Sequence, residues 1–236
     1  MNIIKEFSRF ANSYGSLNLI QKNVAYELIS MLDKKYYDTI LDIGSGDGAI
    51  FNTLLKKDIS FNNFIALDFS KEMLDLHPSS SKVKKLYLDF NSIDCFNKLS
   101  SYDLVISSSA LQWSRNLDLT LRNISILSDD FYFAIFTSNT FKTLHKIANV
   151  KSPIYSKDII ESYINRYFFV SNSFVKSYKL FFENVFEMFK YIKRSGVSGG
   201  KKQLLVKDIK RVVKNYPFDY LEFEVFFIKA SSKLRS

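Results

Sequence analysis

The stretch DIGSGDGAIF, residues 42–51, places glycines at alternate positions, Gly44, Gly46 and Gly48, in a 236-residue chain that has only seven. Upstream, TILDI (39–43) reads as a short apolar strand. Downstream, 47–57 reads as a helix. A strand, a glycine turn and a helix make the unit that holds ligands at the carboxyl end of a strand in a doubly wound sheet. Glycine lets the backbone turn tightly and approach a ligand. The helix start offers free N–H groups to an anionic group.

The rest of the chain repeats this alternation. A helix is expected over 17–33, where Leu17, Ile20, Val24, Leu28 and Met31 recur at helical spacing. Further strands are expected at FIALD (64–68), KKLYLDF (84–90), YDLVISSS (102–109) and FYFAIFT (131–137). Ser70 is placed to cap a helix running to Leu76, and 117–127 has a helical pattern. Beyond Thr140, helices are expected near 141–149, 157–165 and 183–194, then a strand at LEFEVFFIKA (221–230), with SGVSGG (195–200) as a flexible break. Strands alternating with helices predict an α/β fold with a parallel sheet covered on both faces.

The glycine spacing is G-x-G-x-G rather than the dinucleotide G-x-G-x-x-G, and Asp42 adds an acid that a pyrophosphate would not welcome. An acid there suits a ligand end carrying both an ammonium and a carboxylate. Asp68 ends the second strand, where it can accept from ribose hydroxyls, and Asp89 ends the third, where it can meet an adenine amino group. Together these residues describe S-adenosylmethionine. A nicotinamide dinucleotide is the rival ligand, and both the spacing and Asp42 count against it.

On D-x-G-x-G-x-G, ALDFSKEML and YDLVISSSALQW, the chain resembles the class I S-adenosylmethionine-dependent methyltransferases over roughly residues 36–140. On FSRFANSYGSLNLIQ (7–21), SSALQWSRNLDLTL (108–121) and the tail IKRSGV…YPFDYLEFEVFFIKA, it is similar to the malonyl-acyl-carrier-protein O-methyltransferase family of biotin synthesis. The tail departs from that family at Phe218 and Asp219. The resemblance implies a single Rossmann-like domain with a seven-stranded sheet, its last strand antiparallel, and extra helices after the fifth strand. Within it, 1–35 would form a lid and helix, 36–140 the cofactor core and 141–236 the substrate side. It also implies that Gln21, Phe69, Met73, Phe90 and Ser107 join the acids and glycines around the cofactor, and that Arg9, Tyr14, Gln112 and Trp113 orient the substrate.

The residue inventory suits methylation of a carboxylate. Such a nucleophile has an ordinary pKa of about 4 and needs no base at neutral pH. His77 and His145 are the only histidines, far apart in sequence, and Cys95 the only cysteine, so neither a metal centre nor a disulfide is expected. His77 reads as a surface residue. Two other readings stay open: methylation of another small acid or a quinone precursor, and a non-catalytic or RNA-binding relative of the same fold.

Charge and hydropathy complete the reading. No run of apolar residues is long enough to span a membrane, and the expectation is a cytoplasmic protein. The net charge is +9. Residues 190–214 hold nine basic residues against Asp208 alone: Lys190, Lys193, Arg194, Lys201, Lys202, Lys207, Lys210, Arg211 and Lys214. The resemblance makes an acidic acyl carrier protein the expected partner for this patch, ahead of nucleic acid or solvent.

Overall fold

The structure is a computed structural model that describes residues 18–194 and 206–235, apart from the side chains of residues 193, 194 and 206–210. Arg9, Tyr14, Lys201, Lys202 and the SGVSGG break lie outside the described residues, as do the side chains of Lys193, Arg194, Lys207 and Lys210.

Seven strands form one sheet: β1 (Tyr36–Ile43), β2 (Ser60–Asp68), β3 (Val83–Tyr87), β4 (Leu104–Ser108), β5 (Asp130–Phe136), β6 (Phe168–Phe181) and β7 (Tyr220–Ser232). Their order is β3-β2-β1-β4-β5-β7-β6. The pairs β1 with β2, β1 with β4, β2 with β3 and β4 with β5 are parallel. Strand β7 runs antiparallel to both β5 and β6. It is the one reversed strand, as the resemblance implied. The direction of winding changes between β1 and β4, so a crevice opens above their carboxyl ends, where such sheets hold ligands.

Nine described helices flank the sheet: α1 (Leu19–Ser30), α2 (Ala49–Lys56), α3 (Lys71–Leu76), α4 (Ile93–Phe96), α5 (Leu117–Ser125), α6 (Lys142–Ala148), α7 (Lys157–Tyr167), α8 (Val185–Arg194) and α9 (Val206–Asn215). Alternate strand residues feed two cores. On one face, Ile40, Leu104 and Val225 pack with Leu28 of α1, Leu54 of α2 and Val212 of α9. On the other, Leu41, Val105 and Phe226 pack with Leu121 of α5 and Ile164 of α7. This two-sided burial encloses the second half of β1 and most of β4.

Three elements went unplaced by the pattern of the sequence, the four-residue helix α4 and two longer ones. Strand β6 follows α7 without a break, since Tyr167 ends the helix and Phe168 opens the strand. It is an edge strand, and its register shifts between Val170 and Asn172, so its apolar period is interrupted. Helix α9 lies in the Lys-rich stretch read only for its charge. Among the described residues no helix is long and apolar enough to cross a membrane.

Candidate active site

Strand β1 ends at the foot of an open-mouthed cleft. Asp42 lies in its floor, fully buried, with no hydrogen-bond partner in the protein for either carboxylate oxygen. Burial pushes its carboxyl well above the usual carboxylate range, and the nearby charge of Asp68 pushes the same way. A buried anion with free oxygens is costly unless something pairs with it.

The glycine turn follows. The N–H groups of Gly44 and Ser45 both donate to the Leu67 carbonyl, at 2.8 and 3.0 Å, folding the turn over the end of β2. Gly44 has φ +75°, and a Cβ there would sit 2.2 Å from the Cβ of Ala110. Gly46 has φ +54°, and its Cβ would meet only the Met73 terminal methyl, at 3.5 Å. Both line the cleft. Gly48 does not. It packs against Pro78 and His77, just past α3, and precedes the first residue of α2.

Asp68 closes β2 and lines the cleft. Its carboxylate accepts from the N–H of Gly46 at 2.9 Å and of Ser70 at 2.8 Å. Burial raises its pKa to about 6, against the lowering effect of those N–H donors. Ser70 caps α3 through its hydroxyl, which accepts from the Met73 N–H at 3.2 Å, and so sets Met73 against the turn. Phe69, Met73 and Phe90 supply apolar lining. Asp89 lies apart from the lining. It sits two residues beyond β3 and accepts from the N–H and side chain of Asn91, at 2.9 and 3.1 Å.

The opposite wall comes from the end of β4. Ser107 is buried, and its hydroxyl donates to the Ile43 carbonyl at 2.8 Å, so it ties β4 to β1 rather than facing the cleft. Its neighbours Ser108 and Ser109 line the cleft instead. Gln112 also turns away from the lining, and its amide donates to the Ser109 carbonyl at 2.6 Å. Trp113 forms part of the wall. From α1, Gln21 reaches the cleft with its side-chain oxygen unpartnered.

Sequence reasoning missed Asn18, Ser45, Asp47, Ser108 and Ser109. Asn18 is buried beside the cleft and donates to the Asp47 carboxylate at 2.9 Å. Asn18, Ser108 and Ser109 lie outside the glycine motif and Ser45 and Asp47 fill its variable positions, so none carries a spacing signal and only the fold collects them. His77, read as a surface residue, is buried instead, with its ring 5.6 Å from that of Phe51 and 5.8 Å from that of Phe64. Leu74 and Phe51 draw α3 onto α2, and the residue after α3 goes in with them. His145 is half-buried outside the lining, against Phe141. Cys95 is buried, which raises its thiol to about 11. Among the described residues no group of His, Cys, Asp and Glu has the makings of a metal site.

Residues 41–128 match the family model described as a methyltransferase domain. A Bacillus cereus protein named malonyl-[acyl-carrier protein] O-methyltransferase is 32% identical over 148 residues, which cover 60% of this chain and 55% of that one. The chain thus spans about half the length of that relative. A Calditerrivibrio nitroreducens protein of the same name is 24% identical over 232 residues, 92% of this chain and 87% of that one. Among solved structures, a Bacillus halodurans protein assigned to the methyltransferases superposes with a TM-score of 0.63 at 12% identity, covering 89% of this chain and 98% of the other. The [4+2]-cyclase SpnF superposes with a TM-score of 0.56 at 10% identity, covering 89% and 80%. The fold alone therefore does not fix the reaction.

The domain match and the fold together make residues 41–128 similar to a methyltransferase domain, with S-adenosylmethionine as the methyl donor. The chain's named relatives in sequence are malonyl-[acyl-carrier protein] O-methyltransferases.

The cleft suits that donor. Asp42, with both oxygens free, and the unpartnered side-chain oxygens of Asn18 and Gln21 are acceptors for an ammonium group. Gly46 leaves space where any side chain would intrude. Asp68, already steadied by two N–H donors, has capacity left for hydroxyls. Phe69, Met73 and Phe90 offer apolar surface to a flat ring.

Proposed function

We propose that this chain transfers a methyl group from S-adenosylmethionine to the free carboxylate of a malonyl thioester carried on an acyl carrier protein, the entry step to pimeloyl formation in biotin synthesis. The observation that carries the donor is Asp42, a buried carboxylate with no protein partner at the foot of a glycine-walled cleft. The names of the relatives support the acceptor.

The donor supplies a methyl on a sulfonium, an electrophile that needs no activation by the protein. The chain's own part is to bind and align. Asp42, Asn18 and Gln21 hold the ammonium end, and Asp68 the sugar. Among the described residues the cleft is lined by no His, Lys, Arg, Tyr or Cys, and its ionisable groups are Asp42, Asp47 and Asp68. That poverty of bases favours a nucleophile already ionised at neutral pH. Alignment of two bound reactants can supply a large share of the rate. Arg9 and Tyr14, outside the described residues, are the proposed donors to the substrate carboxylate.

Incubation with malonyl and acetyl thioesters of the same carrier tests the reading by mass spectrometry. Only the malonyl form should gain a methyl ester. Equal labelling of both, or of neither, overturns it. Growth rescue of a biotin-requiring strain lacking its own malonyl methyltransferase tests the place in metabolism.

A further inference from the structure

We infer that Ser108 and Ser109 form a hydroxyl pair that binds the acceptor oxygens of the substrate, an inference that rests on the methyl-transfer reading above. Both side-chain oxygens are shielded from water and have no hydrogen-bond partner, and both residues line the cleft. Two buried hydroxyls left unsatisfied side by side are uncommon in a folded protein, where most such groups find partners. Ser107, one residue earlier, does find one in the Ile43 carbonyl. Of these three serines, the two that line the cleft are the unsatisfied ones, and the Ser45 hydroxyl in the glycine turn is a third without a partner.

The backbone at Ser109 is held in an unusual conformation. Ser109 has φ +59°, in the left-handed region that a serine enters only at a cost. Three contacts enforce it. The Ser109 N–H donates to the Ala134 carbonyl at 2.9 Å, the Ser109 carbonyl accepts from Gln112 at 2.6 Å, and the next residue, Ala110, is wedged against Gly44. That wedge also fixes position. Gly44 follows the floor strand that carries Asp42, so the wedge anchors the segment after β4 to the turn after β1.

The electrostatics select the ligand group. The cleft's ionisable lining is acidic, with Asp42, Asp47 and Asp68 and no cation among the described residues. Hydroxyls are neutral donors that can approach an anionic oxygen without adding repulsion, and bonds to charged acceptors are the stronger ones. An amine or a thiol acceptor gains less from two neutral donors. The pair thus favours an oxygen acceptor, a carboxylate in the reading above, over nitrogen, sulfur or carbon.

The test uses three variants of the full chain. Ser109→Gly keeps the left-handed backbone and deletes the hydroxyl. Ser109→Asn tolerates the same backbone and restores a donor. Ser108→Ala removes the second hydroxyl. S-adenosylhomocysteine affinity, read by calorimetry, should stay within about twofold of wild type in all three. With malonyl-coenzyme A as the probe substrate, kcat/KM should fall roughly 10-fold to 100-fold in Ser109→Gly, the scale of one lost hydrogen bond to a charged group. It should fall in Ser108→Ala as well, and recover in part in Ser109→Asn. Active variants matching wild type would overturn the pair as a substrate site, as would losses that track S-adenosylhomocysteine affinity. A wild-type protein inert on malonyl-coenzyme A and malonyl carrier alike would instead overturn the substrate reading on which the pair rests.

Discussion

The backbone N–H of Gly46 donates to the Asp68 carboxylate at 2.9 Å, joining the turn after β1 to the end of β2. One carboxylate thus holds the glycine turn in place and faces the cleft. Asp68→Ala should remove both roles. Loss of hydrogen bonds to a charged acceptor costs about 1.5–3 kcal/mol, so S-adenosylhomocysteine affinity should fall roughly 10-fold to 100-fold by calorimetry. Unchanged affinity in a folded variant would remove Asp68 from the donor site.

Gly44 and Gly46 should fail differently. Gly44→Ala drives a methyl into Ala110 and forces a left-handed alanine, at about 1–2 kcal/mol for the backbone and a further 1–3 kcal/mol for overpacking. It should lower the melting temperature, and Ala110→Gly in the same chain should recover part of the loss. Gly46→Val faces the cleft, so it should lose ligand affinity more than its melting temperature suggests. Equal behaviour of the two variants would contradict the geometry.

These residues also mark what was legible in the sequence. Asp42, Gly44, Gly46 and Asp68 stand at fixed distances around strand ends, and strand-turn-helix geometry converts those distances into a site. Ser107 and Gln112 lie in the right segment, but which of three consecutive serines faces the cleft depends on the pleat of β4 and on the left-handed turn at Ser109. His77 was misread because a polar residue after a short helix looks exposed, whereas the neighbouring Phe51 and Phe64 take its ring into the core. Strand β6 was hidden by its register shift and half-exposed edge.

Acid should weaken ligand binding. Asp42 and Asp68 both have raised carboxyl pKa values, Asp68 to about 6. An acid raised in the folded state binds more protons there than in the unfolded chain, so the contribution of Asp68 to stability falls as pH rises from the ordinary carboxylate range through about 6, and that of Asp42 falls in the same direction. Ligand binding recruits the ionised forms. At pH 6, titration with S-adenosylhomocysteine should release protons, seen as a dependence of the heat on the ionisation enthalpy of the buffer, and affinity should weaken from pH 7 to 5. Asp42→Asn should raise the melting temperature of the ligand-free protein at pH 7, by roughly 2–4 °C per kcal/mol recovered, while weakening binding. A destabilised Asp42→Asn with intact affinity would contradict the assignment of Asp42.

His77 gives the opposite pH sign. Burial lowers the pKa of its imidazole, so the unfolded chain takes up its proton first as pH falls below about 6.5, and stability drops through that window. His77→Phe keeps an aromatic ring against Phe51 and Phe64 and should flatten this part of the acid limb. His77→Ala should cost about 3–5 kcal/mol as a large-to-small core change, since the space it leaves adjoins Gly48. Thermal melts between pH 5 and 7 read both. An acid limb unchanged in His77→Phe would assign it to other groups.

The basic segment bears on the carrier. Helix α9 (Val206–Asn215) buries Val212 and leaves Lys214 exposed, while Arg211 donates to the Ala148 carbonyl at the end of α6. One side of α9 is thus committed to the body. With Lys201 and Lys202 just before the helix, the proposal is that the remaining charge receives an acidic acyl carrier protein. Rim charges of this kind act mainly on association rate and salt dependence. Lys201→Glu with Lys202→Glu should therefore raise KM for malonyl carrier most at low ionic strength, with kcat little changed, and the deficit should shrink as salt screens the contact. Malonyl-coenzyme A also carries negative charge but has no carrier surface, so its turnover should change much less. Lys214→Glu should act in the same direction, more weakly, as a single charge. Equal losses on the two substrates, or none on either, would make this patch a solvated face and leave the carrier to dock elsewhere.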